Sequence, residues 1–244
     1  MIRLVPAATS AVLGLMLALA ALAGPTVLAA ALLVVVVALA AGWPTLLGLP
    51  TQRGSTSVLA LCGTAAVVVV FLADDGDESH RLGWLAPVLA LSIVATFTHQ
   101  LLRRDMRPRL VESVTGVVSG VVVVELVAGW LAAAVVDLEV VLAGVATLVP
   151  AALALALPWP QRVTGAVSLA AGVVFGALAS VFLHGIATVP AVALGGLVAV
   201  VLVSFDRLFT VLPSITSRQS GVAVGAAGVC CAGAITYLVS IIVG

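Results

Sequence analysis

From Ala7 to Ala41 the chain is one almost unbroken apolar run, broken only at Gly24-Pro25. At about 1.5 Å rise per residue a single helix of that length would be roughly 50 Å long. The hydrocarbon core of a bilayer is only about 30 Å thick. The run therefore has to cross twice. Gly24-Pro25 is the natural break, because proline disfavours helix at the residue before it.

The same logic extends along the chain. Of its 244 residues, 63% are apolar and 8% are charged. A water-facing domain carries about 25% charged residues. This chain cannot cover an aqueous surface, and no polar stretch is long enough for a separate soluble domain. The expected fold is all-α, a single transmembrane bundle of nine helices. Their expected positions are about 7–24, 26–41, 57–73, 82–100, 110–134, 138–157, 163–183, 190–205 and 221–243. Arg3 before an apolar run and Ala-Leu-Ala-Gly also has the form of a secretory signal, and its cleavage would leave eight spans.

Arginine placement predicts the orientation. All ten basic residues are arginine. With the N-terminus inside, Arg3, Arg53, Arg103, Arg104, Arg107, Arg109, Arg162, Arg207 and Arg218 share the inner side. Only Arg81, within an acidic loop, falls outside. Inner loops collect arginine, so the expectation is N-in and C-out. The composition fits a GC-rich bacterial genome and a bacterial cytoplasmic membrane. Trp43, Trp84, Trp130 and Trp159 fall near expected helix ends, where indoles favour the interface. The Trp43-Pro44 and Trp159-Pro160 pairs would also mark a parallel repeat of four helices, although tryptophan and proline are common at helix ends.

Few residues are suited to chemistry. Glu125 lies well inside the fifth span, where a carboxylate costs several kcal/mol unless paired, hydrated or protonated. It should face the bundle interior, either as a coupling residue for transport or as a hydrogen-bonded structural group. Glu112 lies about 220° from Glu125 on that helix, so the two do not form a carboxylate pair. Its expected partner is Arg109 at i−3.

Arg103, Arg104, Arg107 and Arg109 form the one dense basic loop. Beside the inner surface they would attract anionic lipid headgroups or clamp a phosphate. The alternative is that they are topology determinants with no ligand at all. His99 stands at the helix end beside them. Cys62, Cys230 and Cys231 read as small buried thiols.

Small residues mark helix contacts. Ser168, Gly172, Gly176, Ser180 and His184 recur at steps of four, and Gly116 and Gly120 sit on the fifth helix. Gly221 and Gly225 mark the ninth. Such ridges let helix backbones approach closely. Pro150 should kink the sixth span. No cofactor, metal or nucleic-acid partner is expected. The expected partners are the bilayer, anionic headgroups, and another membrane protein or a second copy.

The stretch Leu101–Ala134 is an arginine-rich loop leading into Val-Glu-Ser-Val-Thr-Gly-Val-Val-Ser-Gly-Val-Val-Val-Val. It resembles the middle of the phosphatidate cytidylyltransferases. That resemblance implies a polytopic membrane protein descended from a lipid-headgroup enzyme. The family's catalytic signature is a late segment with lysines, His-Gly-Gly and Asp-Arg. Here only Asp206-Arg207 stands in the late inner loop, and lysine is absent throughout. No catalytic residue carries over. Three functions follow as expectations: a non-catalytic membrane component or scaffold, a small permease using Glu125, and an altered lipid-headgroup enzyme.

Overall fold

The computed structural model describes residues 4–73, 82–102, 109–210 and 217–243. These are helical almost throughout. The helices are α1 (Leu4–Ala23), α2 (Pro25–Leu46), α3 (Gln52–Leu72), α4 (Leu85–Leu101), α5 (Leu110–Glu125), α6 (Gly129–Val136), α7 (Leu138–Leu155), α8 (Gln161–Phe182), α9 (Thr188–Thr210) and α10 (Arg218–Val243). A 3₁₀ turn, Leu126–Ala128, joins α5 to α6, so the two form one span. Among the described residues nine segments are then long and apolar enough to cross a bilayer. The expected all-α bundle is what the chain forms.

The break between α1 and α2 falls at Gly24, whose φ of 119° only glycine adopts easily, with Pro25 opening the next helix. The end of α2 corrects the expectation of a loop beginning at Trp43. The helix continues through Trp43-Pro44 to Leu46. Gly48, at φ 60°, stops it. The Gly48 N–H donates to the Thr45 carbonyl at 3.3 Å, and the Leu49 N–H to the Pro44 carbonyl at 2.9 Å. This is the left-handed glycine cap that satisfies the last carbonyls of a helix. Other spans also outrun their apolar cores. α3 begins at Gln52, α9 reaches Thr210 and α10 begins at Arg218. Long polar side chains at helix ends can reach water while the backbone stays helical. Asp206 and Arg207 therefore lie on the last turns of α9, not in a loop.

α10 packs against α1, α2, α6, α7 and α9. On one flank α8 and α9 lean on α7, and on the other α4 touches chiefly α3 and α5. In a bilayer lipid is as apolar as leucine, so packing and interhelical hydrogen bonds have to hold such a bundle together. Glycines permit the closest contacts. A Cβ on Gly172 would run into the Gly195 carbonyl, and one on Gly195 into the Gly172 carbonyl. Gly42 of α2 meets the Gln219 carbonyl of α10 in the same way.

Two tryptophans are clamps rather than interfacial anchors. Trp130 is fully buried and donates its indole N–H to the Val229 carbonyl of α10 at 2.8 Å. Trp43 is buried and donates to the Gly116 carbonyl of α5 at 2.9 Å. Trp84 and Trp159 remain exposed, as interfacial indoles should. Trp43 and Trp159 therefore occupy unlike environments, which weighs against a repeat built on the two Trp-Pro pairs.

Candidate functional site

Glu125 is the last residue of α5 and is only 3% exposed. It faces the interior, as a carboxylate inside a span should. The helix changes character at this residue, tightening into the 3₁₀ turn before α6 resumes. Such turns within a helix often mark hinges or functional positions. Gly129, at the far end of the turn, abuts the Gly233 backbone of α10. On the α4 side the Ser92 hydroxyl faces both the Glu125 carboxyl and the Cys62 thiol of α3. Glu125 Oε1 is buried and has no hydrogen-bond partner among the described residues. The core of the α3–α4–α5 flank thus holds a small polar trio of one carboxyl, one hydroxyl and one thiol.

Outside that trio lies an apolar groove between α3 and α4. Its deeper stretch, about 280 Å³, runs over Cys62 and Ser92. A wider stretch of about 620 Å³ continues toward the α3 N-terminus, past Gly54, Ser57, Thr98 and His99. Leu61, Leu91 and Ala95 line both, so the two are continuous. α4 lies at the edge of the bundle, touching chiefly α3 and α5. Only 17% of the apolar window of the fourth span is buried, against 61% for α10. A second groove, about 670 Å³ between α1 and α2, is lined only by Ala, Val, Leu and Met.

The arginine cluster divides. Arg103, Arg104 and Arg107 lie outside the described residues. Arg109 pairs with Glu112, as the i−3 spacing predicts. It also donates to the Gly48 carbonyl at 3.2 Å, tying the start of α5 to the cap of α2. Its φ of 52° is the one left-handed non-glycine backbone among the described residues.

The ridge on α8 splits between two neighbours. Ser168 is buried and donates to the Ala151 carbonyl of α7 at 2.8 Å. Gly172 and Gly176 meet α9 at Gly195 and Ala191. Ser180 bonds the Ala177 carbonyl of its own helix and Thr188 at the start of α9. His184 lies in the α8–α9 connection, exposed. On α5, Gly116 packs under Leu47 and Leu49, and Gly120 under Trp43. On α10, Gly221 meets Val5, and Gly225 meets Pro6 and Ser10 of α1. Pro150 falls inside α7. Cys62 and Cys230 are buried, Cys231 is half-buried, and all three are free thiols. Among the described residues no group of three His, Cys, Asp or Glu side chains is placed to hold a metal ion.

Sequence reasoning missed Ser92 and the groove. Ser92 is a lone serine in an apolar helix, and only the tertiary packing sets it against Glu125. No protein-family model, curated protein or solved structure matches this chain.

Proposed function

We propose that this chain is a non-catalytic component of a bacterial cytoplasmic membrane, whose working surface is the open α3–α4 flank. The observation that carries this reading is the contrast in packing. The helices around α10 interlock through glycine contacts and buried indole hydrogen bonds, while α4 is left largely uncovered. Lipid covers an apolar flank as well as leucine would, so leaving this flank uncovered costs the fold little and keeps it available. Keeping it open suits a component that receives something from the membrane plane.

A second reading is a small permease that uses Glu125 as its coupling residue. Its support is the unpartnered Oε1 beside a helix break. Neither stretch of the α3–α4 groove is lined by Glu125, so the carboxyl stands behind the groove rather than in a passage. A lipid-headgroup enzyme would have to draw on Arg103, Arg104 and Arg107, outside the described residues.

Complementation of a deletion strain separates these readings, with variants compared at matched protein levels. The proposal expects Glu125→Gln to complement and Ala95→Trp, which fills the groove, to fail. If Glu125→Gln fails and Ala95→Trp complements, the permease reading replaces it.

A further inference from the structure

Four helices meet at the end of the bundle that holds the start of α1. There α1 and α9 each pack against both α7 and α10. The junction leaves a small cavity of about 20 Å³, lined among others by Ser10 of α1, Ala152 and Leu155 of α7, Leu202 and Asp206 of α9, and Gly225 of α10. One water needs at least about 10–15 Å³ by the same measure, so the space suits a single water and no organic ligand.

The chemistry of the lining narrows the occupant. Ser10 and Asp206 are its polar side chains. Ser10 is buried, and its hydroxyl hydrogen is already committed. The hydroxyl donates to the Gly225 carbonyl at 3.0 Å, with the Pro6 carbonyl at 3.1 Å as the alternative acceptor. A hydroxyl has one hydrogen and two lone pairs, so Ser10 Oγ keeps acceptor capacity. Asp206 is half-buried and accepts from Gln161 Nε2 at 3.5 Å. A carboxylate has about four acceptor positions, so that bond leaves room for another donor. Both side chains therefore call for a donor. A hard metal cation takes about six oxygens. Two side chains and two carbonyls that already accept from Ser10 do not make that set. A water carries two hydrogens and needs two to four polar partners.

We infer that this cavity holds one ordered water, which donates one hydrogen to Ser10 Oγ and the other to the Asp206 carboxylate. The water joins α1 to α9 across the junction. Ser10 then ties three helices together, α10 through its own hydroxyl hydrogen and α9 through the water. An empty cavity would forfeit these bonds and the packing contacts of its lining as well. The inference involves no residue of α3 or α4 and stands apart from the open flank.

The test is X-ray hydroxyl-radical footprinting of the full chain in lipid nanodiscs, read by mass spectrometry. Radicals made from a bound water modify only the side chains beside it. Leu155 and Leu202, 7% and 5% exposed, should be modified. Leu148, fully buried on α7 and outside the lining, should not. Ser10→Ala removes one acceptor, and Ala152→Val fills the space. Each should bring modification of Leu155 and Leu202 down to the level of Leu148. If Ala152→Val does not fold, Ser10→Ala carries the test. Unmodified Leu155 and Leu202 in the wild-type chain, or undiminished modification in Ser10→Ala, overturns the inference. So does a melting temperature that rises in sodium chloride over choline chloride in the wild type but not in Ser10→Ala, since that result places a cation in the cavity.

Discussion

Gly195 and Gly196 are neighbours on α9, and they should respond oppositely to the same substitution. Replacing either with alanine raises intrinsic helix stability by about 1 kcal/mol. At Gly196 the new methyl would meet only Val173 Cγ2, at 3.7 Å, an ordinary contact. At Gly195 it would overlap the Gly172 carbonyl and come within 3.0 Å of Thr147 Cγ2. The first obstacle is backbone, which cannot rotate aside, so α8 and α9 must separate. Separation also loosens the Gly172–Ala199 and Gly176–Ala191 contacts. Overpacking of this kind costs about 1–3 kcal/mol, and a backbone obstacle places it at the upper end. Gly196→Ala should therefore be neutral or stabilising by up to about 1 kcal/mol. Gly195→Ala should be destabilising by about 1–2 kcal/mol net. The assay is reversible unfolding by SDS in mixed micelles, followed by far-UV circular dichroism. Equal stabilisation by both substitutions would refute the α8–α9 backbone contact.

Two further predictions concern a buried hydrogen bond and a left-handed backbone. Trp130→Phe removes the donor to Val229 and leaves a gap in a fully buried site, so it should cost about 1–3 kcal/mol in the same titration. Trp84→Phe, at an exposed position, should change stability by less than about 0.5 kcal/mol. Arg109→Gly and Arg109→Ala both lose an exposed ion pair worth at most about 1 kcal/mol. Glycine alone relieves the left-handed backbone, so Arg109→Gly should be the more stable variant by about 1 kcal/mol in thermal melting.

Much of the architecture was legible because a bilayer imposes simple lengths. Apolar runs, Gly24-Pro25 and the charged interruptions are enough to place nine spans. Helix ends were less legible. The stop signal for α2 is present in the sequence as Gly48, followed by Leu49 and Pro50, but Trp43-Pro44 upstream has the form of a stop as well. Proline does not end a helix that a glycine cap closes four residues later.

The ridge on α8 shows a second limit. Steps of four advance 400° around a helix, so the line drifts about 40° at each step. Ser168 therefore faces α7 while Gly172 and Gly176 face α9. Tryptophan shows a third. Composition does not distinguish an indole whose N–H meets water from one whose N–H meets a carbonyl on another helix, and Trp43 and Trp130 are of the second kind. The interior orientation of Glu125 followed from the cost of a charge in lipid. Its Ser92 neighbour, the 3₁₀ turn and the groove did not, because each depends on how α4 and α5 sit against α3. Local sequence there is only a run of small apolar residues.

The most direct test of the architecture is the location of the two chain ends. Fusions of green fluorescent protein and of alkaline phosphatase at each terminus report which side it occupies. Nine spans require the ends to lie on opposite sides. The arginine distribution further requires fluorescence without phosphatase activity at the N-terminus, and phosphatase activity without fluorescence at the C-terminus. Both ends on one side would contradict the nine-span account. The reverse pattern would keep the nine spans and invert the orientation.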